Sequence, residues 1–423
     1  MTTIMLTQYS GAILGPIAKI LGWIMNWIYL FLQNVFGIEN IGLTIIVLTI
    51  LIYMCMLPLT VRTQKFSKLQ QRMQPETKAI QEKYKGKRDQ QSQMAMNEEM
   101  QELYAKYGIS PTGSCLPMLL QLPVFLALYR MIYNVPAYVS SVKSAFDGIV
   151  EGIVNTPGYQ DIMDKFVEAE KLTSVGADFH NEDLLVVKNY IVDTVYKMST
   201  SAWDTLRESF PSLIDVIDST ETQLNHVNNF LGMNISDSPF AIITNSMASH
   251  SYLFVFLALM VPISSYASQM LNIKLMPQAD TDPNSAMAKQ LKAMNYTMPI
   301  FSLFLCFTVP VGLGIYWLFS SLTRGVQQYF VNKHIQNLDL DDVIAQNLEK
   351  RKKKLEKMGI NENQIRSAAR MNTKSSVQLS ASMTKEERDS KIEKAYSYRK
   401  EANPNSLTAK ANLVKDFNER NNK

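Results

Sequence analysis

Acidic residues are missing from every long apolar stretch of this 423-residue sequence. The stretches after residue 36 have the length of a membrane span, about 20 residues, and their only charged residues are Arg130 and Arg324. Several separate runs of this length exceed what a soluble core needs. The missing acids therefore argue against a soluble enzyme and indicate an integral membrane protein. The mean hydropathy of the whole chain is only −0.06 because long polar stretches dilute the apolar ones.

Cysteine is also scarce. All three cysteines, Cys55, Cys115 and Cys306, lie inside or beside the apolar stretches. The polar loops therefore have none with which to build a disulfide framework. The four histidines are scattered over polar loops without metal-ligand spacing, and no P-loop, dinucleotide-binding, zinc-protease or esterase motif occurs. The sequence accordingly predicts no enzyme, no metal and no cofactor.

Five membrane spans are predicted from the apolar runs. The last two form one double-length run that Pro310-Val311-Gly312 divides. The predicted fold class is an all-α integral membrane protein with five transmembrane helices, a cytoplasmic helical hairpin and a mostly helical extracellular insertion. The spans are residues 41–59, 116–135, 252–271 and the two halves of 298–331.

Basic residues predict the orientation, because loops rich in Lys and Arg favour the cytoplasm. Residues 61–110 hold ten basic and six acidic residues, and the chain after Asn332 holds 20 basic and 13 acidic residues. Residues 136–251 hold 16 acidic and six basic residues, which fits the outer side. The pattern predicts a multi-pass protein of the bacterial plasma membrane, with a cytoplasmic C-terminus and an extracellular N-terminus.

Residues 12–36 are predicted to form an amphipathic helix lying in the plane of the membrane surface. The alternative is a sixth span, with the N-terminus inside. No basic leader region or small-residue cleavage site indicates a processed signal peptide. One face of the helix is expected to carry Ile13, Ile17, Ile20, Ile24 and Ile28, while Lys19, Trp23, Asn26 and Trp27 occupy the others.

The polar regions have distinct compositions. Apolar residues at helical spacing on both sides of Lys85-Gly86-Lys87 predict an antiparallel hairpin. The tail has few large apolar residues and is expected to be mostly mobile. The predicted organisation is an interfacial helix over 1–38, a first span over 39–60, the hairpin over 61–111, a second span over 112–135, an acidic helical insertion over 136–250, spans three to five over 251–331 and a basic tail over 332–423.

Uncharged polar residues recur in the spans and are candidates to line a shared groove. For isolated Ser and Thr the alternative is that they satisfy neighbouring backbone carbonyls or allow close helix packing. Gln121 and Gln269 are less easily explained in that way. The predicted groove residues are Tyr53, Thr49, Gln121, Gln269, Ser265 and Trp317.

Several motifs in this order resemble the YidC membrane-protein insertase family, in its bacterial, Gram-positive-like form without a large N-terminal periplasmic domain. Pro58 ends the first predicted span. GSCLPMLLQLP at 113–123 opens the second span and is followed by Ala127-Leu128-Tyr129. Met298-Pro299-Ile300 opens the fourth, and PVGLGIYW at 310–317 turns into the fifth. The resemblance covers roughly residues 12–135 and 250–332.

The resemblance implies a five-helix core with a hydrophilic groove open to the cytoplasm and to lipid. Nascent membrane proteins would enter it without nucleotide hydrolysis. It also implies contact with ribosomal RNA, the signal recognition pathway and the Sec translocon. A secondary transporter or channel-like bundle is the alternative, but the spans lack the Asp, Glu and His that usually serve ion or proton transport.

Two departures from the family pattern stand out. Tyr53 occupies the place where the family's first span usually carries a groove arginine. A gap of about 12 Å separates the predicted depths of Arg130 and Tyr53, which is more than one flexible side chain bridges, so we expect Arg130 to cap the groove or anchor at the outer interface. The second departure is the insertion between spans two and three, whose role the sequence does not reveal.

A run of basic residues follows the last span. Such a run neutralises phosphate in a salt-dependent way, so either ribosomal RNA or anionic membrane lipid is a suitable partner. The predicted contact residues are Lys350, Arg351, Lys352, Lys353 and Lys354.

Overall fold

The computed structural model describes residues 11, 14–87, 89–109, 116–172, 176–275, 286–336 and 338–357. Within these residues the chain is helical except for short turns and one two-stranded ribbon, which confirms the all-α fold class. Predictions for Ile13, for Gly113-Ser114-Cys115 and for the tail beyond residue 357 lie outside the described residues.

The elements follow one another along the chain with short connections. Two segments, Val135–Ala137 and Pro211–Leu213, are 3-10 helices. The others are α1 Leu14–Phe36, α2 Ile41–Lys83, α3 Gln90–Lys106, α4 Leu116–Ile132, α5 Ser140–Ser144, α6 Asp147–Val154, α7 Tyr159–Ala169, α8 Leu184–Lys197, α9 Ala202–Ser209, α10 Ile214–Asn228, β1 Asn229–Phe230, β2 Met233–Asn234, α11 Pro239–Ala248, α12 Tyr252–Leu275, α13 Ala286–Thr308, α14 Val311–Gln336 and α15 Leu340–Lys357.

The chain divides into two units. The described parts of Met1–Lys83 and Met100–Val343 form the first, and those of Tyr84–Glu99 and Ile344–Lys423 form the second. In the second unit, Tyr84 Oη donates a hydrogen bond to Glu99 at 2.8 Å, across a turn in which Gly86 adopts a φ of +83°. The turn therefore lies where the sequence predicts it.

Helix α2 is 43 residues long and runs through Pro58 and Pro75. The helix therefore continues past the predicted end of the first span at Pro58, and the end of the span itself stays a prediction. Proline removes one backbone hydrogen bond and disfavours a helix interior, but α14 contacts α2 on both sides of Pro58, through Tyr53 and through Gln64. This tertiary packing keeps the two halves of α2 in one helix.

Helix α1 packs against α2 and α4 through a face that coincides only in part with the predicted isoleucine face, since Ile28 is buried and Ile17 and Ile24 pack against the core. Ile20 is 61% exposed, and the buried stripe is displaced by one position around the helix. Neighbouring helices determine which of the isoleucines are buried. Trp23 and Trp27 are exposed. The buried residues are Gly15, Ala18, Leu21, Gly22, Met25, Ile28, Tyr29 and Leu32.

Three described helices, α1, α2 and α12, are long and apolar enough to cross a membrane, and Gln121–Ile132 is a shorter apolar helix. The count of five spans stays a prediction. The segment between α4 and α12 is a helical domain with a large aromatic core. On its surface Arg207 bridges the carboxylates of Asp204, Asp218 and Glu221. The buried aromatic residues are Phe146, Phe166, Phe179, Tyr196, Trp203 and Phe210.

Candidate intramembrane polar site

Helices α12 and α14 approach closely because α14 carries glycine at the contact points. A Cβ atom on Gly314 would lie 2.5 Å from Val261 Cγ1, and one on Gly325 would lie 2.8 Å from Asn272 Oδ1. Asn272 is buried and its Nδ2 donates to the backbone oxygen of Ser321 at 2.7 Å and to Ser321 Oγ at 2.6 Å. Small residues and an interhelical amide thus hold this pair together.

Helices α2 and α14 are joined by buried glutamine side chains. Gln327 Nε2 donates to the backbone oxygen of Tyr53 at 2.7 Å, and Gln64 Nε2 donates to Gln328 Oε1. The Oε1 atoms of Gln64 and Gln327 are buried without a hydrogen-bond partner among the described residues. Buried polar atoms are normally paired, so these two amide oxygens are suited to accept a further hydrogen bond.

Arg324 of α14 lies on Tyr53 of α2. Its Nη2 donates to Tyr53 Oη at 2.8 Å, and its Cζ lies 5.5 Å from the centre of the tyrosine ring. Tyr53 is buried while Arg324 is exposed. Sequence reasoning missed Arg324 as a site residue. A usable signal was present, because Arg324 is one of only two charged residues in the spans.

A second tyrosine extends this group to α4. The side chain of Tyr316 is buried and lies beside the side chains of Tyr53 and Gln121. Two predicted groove residues, Tyr53 and Gln121, are therefore brought together by a residue that was not predicted. We call Tyr53, Gln121, Tyr316, Arg324 and Gln327 the polar cluster. It lies where α2, α4 and α14 meet.

Trp317 borders the polar cluster. Its ring stacks on Phe125 of α4, with centroids 6.3 Å apart and planes 13° apart. Phe125 lies one helical turn after Gln121, and Trp317 follows Tyr316 directly. The half-buried aromatic pair forms an apolar wall beside the polar side chains.

The other predicted groove residues make different contacts. Gln269 Nε2 donates to Ser265 Oγ at 3.2 Å, and Ser302 Oγ donates to Gln269 Oε1 at 3.1 Å, so this group links α12 to α13. Thr49 is fully buried and its hydroxyl donates to the Ile45 carbonyl of its own helix at 2.6 Å. Thr49 therefore satisfies a backbone carbonyl of its own helix, which is the alternative given above for isolated hydroxyl groups.

Arg130 is exposed and lies about 13 Å along α4 from Gln121. Its charge affects the pKa of Lys197 of α8. Burial lowers the pKa of Lys197, Asp193 opposes that shift and Arg130 adds to it. Arg130 therefore lies beside the inserted domain, and Arg324 is the arginine that meets Tyr53.

Helix α15 carries the predicted basic contact residues. The described side chains, Lys350, Lys352 and Lys353, are exposed, and Lys353 pairs with Glu349 at 2.6 Å. The side chains of Arg351 and Lys354 are outside the described part of the structure.

These features define an all-α integral membrane protein in which polar side chains from three apolar helices converge. The family model described as 60Kd inner membrane protein matches residues 31–338. The chain therefore belongs to this family, and the predicted YidC resemblance is confirmed.

Several curated relatives are similar in sequence. A protein of Tropheryma whipplei named membrane protein insertase YidC is 28% identical over 72% of this chain and 80% of its own length. Proteins with the same name are 42% identical over 27% of this chain in Syntrophobacter fumaroxidans and 37% identical over 32% in Bifidobacterium longum. These two matches span only 19% and 42% of the respective relatives.

Proposed function

We propose that this protein is a membrane protein insertase and chaperone that passes the polar flank of a nascent membrane protein along the polar cluster. The observation that carries the proposal is the convergence of Tyr53, Gln121 and Arg324 from three separate apolar helices. The names of the relatives support the same activity. Client segments would leave sideways into lipid, without nucleotide hydrolysis.

The physical basis is the cost of moving polar groups through hydrocarbon. Each unsatisfied backbone group costs several kcal/mol in the bilayer core. Polar side chains at the depth of Tyr53, about 18 Å along α2 from Ile41, offer hydrogen bonds partway across. A shorter dry path lowers the barrier to translocation. A transporter is the weaker candidate because the predicted spans contain no Asp, Glu or His.

The orientation is proposed from charge, with the hairpin and the basic tail in the cytoplasm at the bacterial plasma membrane. Helix α1 is proposed to lie across the opposite end of the bundle. Its Phe36 lies next to the start of α2, and its Asn26 Oδ1 accepts a hydrogen bond from the Ser140 backbone at 2.9 Å, just beyond α4. These points on α1 are about 15 Å apart yet both lie near one end of the bundle, which favours an in-plane helix over a sixth span.

Partners are proposed on the same grounds. Exposed lysines on α15 suit the phosphates of ribosomal RNA or of anionic lipid, and binding would weaken with salt in either case. Salt titration against ribosomes and against vesicles separates the two. Contact with the signal recognition pathway and the Sec translocon rests on family membership alone.

Water access tests the groove directly. In a variant with all three cysteines replaced by serine, Gln121→Cys is expected to react with a membrane-impermeant maleimide from the side of the basic hairpin. Leu122→Cys, on the exposed face of the same helix, is the matched control and is expected to lie in lipid and stay unlabelled. Equal labelling of the two positions would contradict the groove.

Insertion is tested with the purified full chain in vesicles. A small single-span client with a polar N-terminal flank is expected to become protease-protected without nucleotide, and not in empty vesicles. Tyr53→Phe removes one hydroxyl from the polar cluster and is expected to slow insertion. Tyr252→Phe, at an exposed tyrosine on α12, is the control. Solute flux without any client insertion would favour the transporter instead.

A further inference from the structure

Arg324 brings a positive charge to the polar cluster from a different helix than the family pattern predicts. We propose that Arg324 is the cation that selects acidic client flanks, which rests on the proposed insertase function. Tyr53 stands at the usual arginine position, and here it holds the guanidinium of α14 in place at 2.8 Å. The charge would be retained although its helix has changed.

The depth of Arg324 along its helix supports this proposal. Helix α14 starts beside α2, since a Cβ atom on Gly312 would lie 3.4 Å from Ile45 Cδ1. From there Arg324 lies about 18 Å along α14 and Tyr53 about 12 Å along α2. Long helical side chains lean toward the N-terminus of their helix. The arginine therefore leans back over Tyr53 and delivers its charge well inside the span.

The chemistry of the site points to a carboxylate. An arginine inside a span is costly and is normally paired or functional, and no predicted span contains an acid that would neutralise it. Tyr53 accepts from one of the five N–H donors of the guanidinium. The side chain remains exposed, and a carboxylate accepts two parallel hydrogen bonds from such a fork.

The test compares two clients that differ only in the flank, which carries either several Asp or the same number of Asn. The wild type is expected to insert both. Arg324→Gln is expected to slow the Asp client about tenfold, the effect of losing one hydrogen-bonded charge pair, and to spare the Asn client. Arg324→Glu should prefer a Lys flank, and Arg62→Gln, at an exposed arginine of α2, is the control.

An equal loss with both clients would assign Arg324 a merely structural role and overturn the proposal. So would no loss with either. The double exchange Tyr53→Arg with Arg324→Tyr is expected to restore Asp-client insertion, which a packing role does not predict. If the wild type inserts neither client, the insertase function itself fails, and this outcome is distinct from the others.

A second inference comes from the turn at the end of the inserted domain, residues 229–237. This turn lies against the first residues of three apolar helices. At α2, Asn40 Nδ2 donates to the backbone oxygen of Asn229, and Phe230 packs on Gly42. At α12, Gly232 packs on Phe254. At α14, the amide of Gly312 donates to the backbone oxygen of Ile235 at 2.9 Å, and the amide of Val311 donates to that of Asp237 at 2.8 Å.

The turn is fixed from the other side by the inserted domain. Asp237 is buried, and its carboxylate accepts hydrogen bonds from the amide and the hydroxyl of Thr200. Ile235 and Met233 are also buried. We infer that the insertion acts as a plug that seals this end of the bundle, above the polar cluster, and so makes the groove one-sided.

Cysteine labelling tests the plug in the full chain lacking native cysteines. Ile45→Cys lies beneath the turn and is expected to be protected from an impermeant maleimide added on the side of the insertion. Adding Asp237→Ala is expected to expose it, whereas Asp237→Asn keeps it protected. Unchanged Gln121→Cys labelling from the other side shows that the bundle stays folded. Labelling of Ile45→Cys without any change at Asp237, or protection that survives Asp237→Ala, would overturn the plug.

Discussion

The apolar helices and the inserted segment 136–250 sort their side chains in opposite ways. On α12 and α13 large apolar residues such as Phe256 and Phe304 point outward, while Asn272 of α12 and Ser321 of α14 are buried between helices. In the insertion Phe166 and Trp203 are buried and charged residues such as Arg207 lie on the surface. The solvent explains the difference, because lipid accommodates apolar surface and water accommodates charge.

The comparison also shows what holds each region together. The insertion has an aromatic core whose burial from water drives its folding. The apolar helices gain little from burying hydrocarbon in lipid, so they depend on close approach at Gly314 and Gly325 and on buried amides. A substitution should therefore act very differently in the two regions.

The largest expected effect comes from truncating the same aromatic residue in each region. Phe166→Ala is expected to destabilise the insertion by about 3–5 kcal/mol, since it leaves a cavity in a water-excluded core. Phe304→Ala, on the exposed face of α13, is expected to change little in a bilayer. Hydrogen exchange of the full chain in lipid nanodiscs measures both. Similar losses of stability for the two variants would contradict the opposite sorting of side chains in the two regions.

The next effect concerns helix approach. Gly314→Ala places a methyl group 2.5 Å from Val261 Cγ1 and is expected to cost about 1–3 kcal/mol by overpacking α12 against α14. Gly312→Ala is the matched control, because its Cβ would meet its nearest neighbours at an ordinary 3.4 Å. Unfolding of the purified chain in mixed detergent compares them. A larger effect at Gly312 would refute close packing as the cause.

Asp237 gives a pH-dependent effect. Burial raises the pKa of this carboxyl above its usual 3.8, and the hydrogen bonds from Thr200 oppose that shift. The fold therefore favours the neutral form, and stability is lost as pH rises from 3.8 through the raised pKa. Asp237→Asn is expected to abolish this loss. Asp237→Ala is expected to cost about 1–3 kcal/mol by leaving Thr200 unpaired.

Stability of the insertion, followed by hydrogen exchange between pH 4 and pH 8 (roughly the range in which a raised carboxyl titrates), distinguishes these variants. If Asp237→Asn showed the same pH profile as the wild type, another group would be responsible.

The smallest effect is expected at the base of the hairpin. The pKa of Glu76 is lowered below 4.5, mainly by a hydrogen bond from Lys106 and next by one from Tyr107. Their contribution is therefore present above pH 4.5 and is lost as pH falls through the lowered pKa. The pair is exposed, so Glu76→Gln is expected to cost less than about 1 kcal/mol. Limited proteolysis measures it against Glu82→Gln, at an exposed glutamate of α2. Equal cleavage of the two variants would show that Glu76 does not stabilise the base of the hairpin.

Much of the architecture was predictable from local pattern. The helical hairpin follows from apolar spacing around Lys85-Gly86-Lys87, and the helical insertion follows from its amphipathic stretches. The continuation of α2 past Pro58 was not predictable from local pattern, because a proline breaks a helix only when no packing compensates, and α14 supplies that packing through Tyr53 and Gln64. The buried face of α1 coincides only in part with the isoleucine face for the same reason, since its neighbours select which residues are buried.

The candidate site was predicted in part. Tyr53 and Gln121 were chosen as uncharged polar residues in apolar helices, and the structure joins them through Tyr316. Arg324 was overlooked because only Arg130 was considered as a replacement for the groove arginine. The two charged residues of the spans look alike in sequence, and only their surroundings differ.

Composition and periodicity alone determined that this chain is an all-α membrane protein, and ordered motifs determined its family, because hydrocarbon excludes charge wherever a helix meets lipid. Only the tertiary structure decided that α2 continues past Pro58 and that Arg324 lies on Tyr53. These two residues are 271 positions apart. Their contact depends on how α2 and α14 pack, and no local pattern carries that information.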